Sequence, residues 1–168
     1  MAEAVFAANG TSASTEEVAR AAGVGIGTVF RHFPTKEALL EAVLAGRLRR
    51  LAVEAAALAD ADDPGPVFFA FFTRVVEQST TKNAYVDALA KAGIDVAGAL
   101  GPVAQDLHKA LGTLLIRAQH AHAVRDDVRV PDLIALLIGA TRAIEHASAD
   151  PDAQARTLAI VLDGLRVR

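Results

Sequence analysis

The clearest hydrophobic pattern in the chain lies at residues 36–60, KEALLEAVLAGRLRRLAVEAAALAD, where Leu39, Leu40, Val43, Leu44, Leu48 and Leu51 recur at spacings of three and four. This predicts one long amphipathic helix. Three shorter helices precede it. MAEAVFAAN reads as the tail of an amphipathic helix that stops at Asn9-Gly10, a suitable C-cap pair. Ser14 and Glu17 form an S-x-x-E capping box, so a second helix starts near Thr15, with Val18, Ala19 and Ala22 on its inward face. Gly23 supplies the left-handed residue that ends it, and Val24 is expected to turn back into the core. Gly25 opens a third helix that runs to about His32 and is closed by Pro34, while Thr35 N-caps the long helix.

Asp60–Pro66, DADDPGP, is the strongest break in the pattern. Beyond it, helices are predicted near 66–79, 82–93, 102–122, 131–148 and 151–166, with Asp132 and Asp152 in first turns, where an acid complements the helix dipole. The expected fold class is all-α. Composition agrees: hydrophobic residues make up 52% of the 168 residues and aromatics only 5%, so the core must be built mainly from Ala, Val, Leu and Ile. The absence of cysteine removes disulfides, thiol nucleophiles and zinc knuckles. No apolar run approaches the roughly 18–20 residues that a membrane helix needs, and no signal peptide is evident, so a cytoplasmic protein is expected. The net charge of −3 argues against coating nucleic acid through bulk positive charge. Residues 1–50 carry six basic against five acidic side chains, leaving about −4 for the remainder, so any DNA binding must come from a few well-placed contacts in the first part.

The stretch IGTVFRHFPTK has the properties of a helix that reads the major groove. Gly27 lets the backbone approach the duplex. Thr28 can bond a phosphate or touch a thymine methyl, and Arg31 can pair with phosphate or with guanine O6 and N7. Val29 and Phe33, four apart, would anchor the helix from behind, while His32 and Lys36 would lie near the groove edge as phosphate ligands.

In order and spacing, the F-A-x-x-G of Phe6–Gly10, the E-V-A-x-A-A-G-V of Glu17–Val24 and the G-T-V-F-R-H-F-P-T-K-E-A-L of Gly27–Leu39 resemble the DNA-binding domain of the TetR family of bacterial transcriptional regulators. The resemblance implies an N-terminal three-helix helix-turn-helix domain over residues 1–45 and a C-terminal helical ligand-binding and dimerisation domain over 46–168. It also implies a homodimer that binds a palindromic double-stranded DNA operator, most simply a repressor released by a small-molecule effector. Thr15, Gly27, Thr28, Phe30, Arg31, His32 and Lys36 fall on positions that approach DNA in the family. Two features depart from the pattern. Phe30 stands where tyrosine is usual, which removes a phosphate-bonding hydroxyl, and Met1 already lies within the first helix, where relatives have a basic arm and a fuller helix. The second departure implies either a truncated first helix or a weakened DNA affinity; together the two slightly favour the alternative, a helical small-molecule-binding dimer with weak or lost DNA binding, which the intact GTVFRHFPTK opposes more strongly.

Phe68, Phe69, Phe71 and Phe72 are the most concentrated aromatics and, with Tyr85, could line an apolar ligand cavity or simply fill the core. The expected pocket residues are Phe68, Phe69, Phe72, Tyr85, His108 and Leu115. Leu136, Ala140, Ile144, Leu158, Leu162 and Leu165 lie at helical spacing near small residues; the resemblance implies that these two helices pair with their symmetry mates as a four-helix bundle, which would put the six at the dimer interface, with internal core as the competing role. His108, His120, His122 and His146 lack the i, i+4 pairing of a helical metal site, and no nucleophile elbow, phosphate loop or HExxH is present. No metal, cofactor or catalytic activity is therefore expected.

Overall fold

The computed structural model describes residues 1–78, 80–147 and 150–167, with backbone alone at 80–82. Its elements are helical: α1 (Ala2–Asn9), α2 (Thr15–Ala22), α3 (Ile26–His32), α4 (Lys36–Leu58), α5 (Pro64–Glu77), α6 (Thr80–Lys91), α7 (Val96–Ala99), α8 (Gly101–His120), α9 (Val130–His146) and α10 (Pro151–Leu165). None of the described helices is long and apolar enough to cross a membrane. Most starts and stops follow from local chemistry. α1 ends at Gly10, whose φ of 69° is left-handed. Thr35 Oγ1 accepts the Ala38 N–H at 3.1 Å and so opens α4. α5 begins at Pro64, two residues before the expected Pro66, because a proline in the first turn needs no N–H partner. The expected helix ends at 79 and 148 lie outside the described residues. The single turn of α7 was not anticipated.

At α2 the predicted capping box is complete. Glu17 N donates to Ser14 Oγ at 3.2 Å, and Ser14 N donates to a Glu17 carboxylate oxygen at 2.6 Å. That second bond holds the Glu17 carboxyl below its ordinary value; partial desolvation opposes it, while the Ser14 hydroxyl and Arg20 assist. Ser14→Ala is expected to lower stability by about 1 kcal/mol in a denaturant titration. Because the folded-state value is depressed, Glu17's contribution is full above the ordinary glutamate range and is lost as pH falls through the depressed value. Glu17→Gln should flatten that part of the acid dependence of melting. An unchanged profile would contradict the box.

The chain forms two compact units, the first comprising Met1–Leu48 and Thr81–Val103, the second Arg49–Thr80 and the chain from Ala104 onward. The first unit thus takes in most of α6 and all of α7 beside the N-terminal helices. The reason is apolar: Tyr85, Leu89, Leu100 and Val103 share one buried cluster with Phe6, Val18, Ala19, Val29, Leu39, Leu40 and Leu44. Tyr85 meets Phe6 edge to face, with ring centroids 6.1 Å apart. The Tyr85 hydroxyl is buried with no hydrogen-bond partner among the described residues, and burial pushes the phenol above its ordinary value, with Glu3 adding and Arg47 opposing. An unpaired buried hydroxyl costs about 1–3 kcal/mol. Tyr85→Phe should accordingly raise stability by about 1 kcal/mol; a lower denaturation midpoint would show that the hydroxyl is satisfied.

In the second unit, Phe68, Phe71, Phe72 and Val76 of α5 pack with Leu111, Leu114 and Leu115 of α8, Leu133, Leu137 and Ala140 of α9, and Leu158 and Leu165 of α10. At the start of α5, a Cβ on Gly65 would lie 2.7 Å from Ala123 Cβ, so the close approach of α5 to the turn after α8 requires glycine.

Candidate nucleic-acid interface

The helix-turn-helix is set by one left-handed residue. Gly23 has φ 68° and ψ 26°, and the Val24 N–H reaches back to Ala19 O at 3.1 Å, the closing bond of a Schellman turn. Only the backbone turns back: the Val24 side chain is 42% exposed, which corrects the expectation that it enters the core. Gly25 then caps α3 without a side chain, and Phe33, held extended (φ −133°, ψ 88°) before Pro34, ends it.

One side of α3 is fixed and the other is open. Val29 is buried in the first unit's cluster and Phe33 packs partly against it, as the spacing predicts. Gly27, Thr28, Phe30, Arg31 and His32 are all exposed, and Lys36 is half-buried at the first position of α4. The hydroxyl-bearing Thr15 differs, since it is buried at the start of α2. Ile26 and Phe30 (36% and 44% exposed), together with Val24, place large apolar side chains on the open side. Val24 was read from the sequence as a core residue and Ile26 was not singled out; the signal available was an apolar residue on each side of a capping glycine. Such a surface costs solvation unless it meets a partner, and thymine methyls are suitable partners. Arg31 and Lys36 form no ion pair with any described residue, whereas Arg47 pairs with Glu3 at 3.5 Å. The open side of α3 therefore combines a glycine, a hydroxyl, apolar groups and unneutralised positive charge on a helix anchored from behind.

Residues 1–43 match the family described as bacterial regulatory proteins, tetR family, and residues 63–167 match the SbtR-like transcriptional regulator C-terminal domain. The chain belongs to the TetR family. It is similar to the crystal structure of a TetR transcription regulatory protein from Mycobacterium vanbaalenii, at 38% identity and a TM-score of 0.76, over 99% of this chain and 90% of the other. A TetR transcriptional regulator from Streptomyces coelicolor is 36% identical with a TM-score of 0.73, over 98% of this chain and 94% of the other. No curated protein matches the chain. As a TetR-family member the protein is a DNA-binding transcriptional regulator, and its all-helical fold with an N-terminal helix-turn-helix is that of its relatives.

The residues expected at the other two sites have the following places in the fold. Phe68, Phe69, Phe72 and Leu115 lie in the second unit's core, and Tyr85 lies in the first unit's core. His108 is exposed and lines an open apolar depression of about 510 Å³ with Val130, Pro131, Ile134 and Ile138. Within the second unit, the α5 phenylalanines share a buried cluster with residues of α8, α9 and α10. Of the six residues expected between subunits, Ala140, Leu158 and Leu165 are buried in their own chain's core, Ile144 and Leu162 pack partly against it, and Leu136 is exposed. Packing of α9 on α5 and α10 consumes that stripe. The apolar residues left outside are Leu136 and Ile138 on α9 and Ile160 on α10, at 37%, 54% and 72% exposure, with Gly139, Ala143 and Ala159 also exposed.

Proposed function

We propose that this TetR-family protein is a homodimeric, ligand-responsive repressor acting in the cytoplasm, which grips a palindromic operator with two copies of α3 in successive major grooves about 34 Å apart. The observation that carries this reading is the open side of α3: Arg31 and Lys36 without carboxylate partners beside exposed Thr28, Phe30 and His32, on a helix held by buried Val29. Thr28, Phe30 and Arg31 face base edges and backbone, and Gly27 permits the approach. His32 and Lys36 grip phosphate, and Thr15 steadies the start of α2 beside the backbone. The exposed stripe of Leu136, Gly139, Ala143 and Ile160 supports an isologous contact in which α9 and α10 meet their symmetry mates, because small residues allow close helix approach and the large ones gain burial. An effector bound by the C-terminal helices releases the operator by favouring a different separation of the two heads, which requires unequal affinity for the two states.

Salt dependence tests the phosphate roles. Operator affinity should fall linearly on logarithmic axes as salt rises, and Lys36→Ala should weaken binding to all sequences alike while reducing the slope by about 1 for each contact removed. A slope identical to that of the parent protein would remove Lys36 from the interface.

A further inference from the structure

The second unit carries an open groove of about 520 Å³ between α4 and α8. Its volume falls in the range of small-molecule sites, roughly 300–1,000 Å³. Buried Ala52 and Ala110 supply a shallow apolar floor, with Ala56 beside them, and Val53, 71% exposed, stands along one wall as a large hydrophobic side chain that the chain itself leaves uncovered. Charge is confined to the start of each wall. α4 enters the unit at Arg49 and α8 at Ala104, and the lining groups that come first along each helix are Arg49, Asp106 and Lys109. The two cations outnumber the acid. Neither Arg49 nor Lys109 forms an ion pair with a described residue, although Arg74, Arg125, Arg129, Arg142, Arg156 and Arg166 of the same unit each pair with a carboxylate.

We infer that this groove binds an amphipathic organic anion, its acidic head between Arg49 and Lys109 and its apolar body along Val53, Ala56 and Ala110. Three properties select that class. The unneutralised cations favour an anion, the alanine floor and Val53 favour a hydrocarbon or flat apolar body, and Asp106 on the same rim disfavours a multiply charged head. As the seat of the effector, the groove rests on the ligand-responsive reading above; as a binding site, it is measurable without DNA.

Titration calorimetry of the full chain with dodecanoate, kept below its micelle-forming concentration, tests the site, with dodecanol as the neutral comparison. Saturable binding of one dodecanoate per chain is expected, with dodecanol at least tenfold weaker. The double variant Arg49→Gln/Lys109→Gln should lose at least tenfold in affinity. Val53→Asp should lose as much, since it sets a carboxylate against the ligand at an exposed position that the fold does not need. Thermal melts followed by circular dichroism establish that both variants fold. Absence of saturable binding, equal affinity in the variants, or equal affinity for dodecanol would each overturn the proposal. Operator binding by the same ligand-free preparations is read separately, and its failure would count against the regulator reading alone.

Discussion

Arg31→Ala is expected to weaken operator binding by about 30-fold or more while leaving the subunit association and the melting temperature unchanged. A good bidentate contact to guanine is worth about 1–3 kcal/mol, and a two-fold complex loses it twice, roughly 2–6 kcal/mol in all. Arg31 is exposed and has no ion-pair partner among the described residues, so its removal leaves no buried charge uncompensated and the fold has little to lose. The comparison that gives the result meaning is made across a panel of base substitutions in the operator. Loss of binding accompanied by loss of discrimination at one base step in each half-site assigns Arg31 to base reading, whereas a uniform loss with a shallower salt slope assigns it to phosphate. Disruption of the dimer by Arg31→Ala would mean that α3 has been misassigned.

The second large effect concerns association. Leu136→Asp combined with Ile160→Asp should convert a dimer into the 17.5 kDa monomer in sedimentation velocity and lower operator affinity by at least about 100-fold, because a single head keeps only half of the contacts. Like charges introduced at a two-fold contact oppose one another across the axis as well as desolvating, so the pair of substitutions is more disruptive than loss of apolar area alone. Leu165→Ala provides the contrast. Leu165 is 1% exposed within its own chain, and truncating it should cost about 2–5 kcal/mol of folding stability rather than acting first on association. If the double aspartate variant remained dimeric, the exposed stripe of α9 and α10 would not be the subunit contact.

The contrast between those two substitutions shows how far the sequence could be read. Helix boundaries in the first 60 residues were legible because they are set locally: Ser14 with Glu17, Gly23 and Thr35 each satisfy or release backbone groups within a few residues, and the structure places caps at all three. The two sides of α3 were legible for the same reason, since Val29 and Phe33 declare an inner side by their spacing and leave Thr28, Phe30, Arg31 and His32 exposed. The later helices carry less information of that kind. On α9, Leu133, Leu136, Leu137, Ile138 and Ala140 are apolar around most of the helix, so periodicity does not say which stripe meets the core; packing of α5 and α10 decides that Leu133, Leu137 and Ala140 do. Nor does any local signal assign α6 to the N-terminal unit. Tyr85 and Leu89 look like core residues from either side, and only the tertiary contact with Phe6 and the start of α4 shows which core they join. The same limit explains the aromatic cluster, where Phe68, Phe71 and Phe72 were as compatible with a cavity wall as with the packed interior they form.

Selection from a pool of randomised duplexes distinguishes sequence reading by α3 from charge-driven binding alone. The protein should enrich a palindrome whose half-sites are centred about one helical turn, roughly 34 Å, apart, and Arg31→Ala should fail to enrich the same half-site. Recovery of unselected sequence by the parent protein, at salt concentrations low enough for binding, would contradict sequence reading by α3 and leave a helical dimer that binds small molecules with a head that no longer recognises an operator.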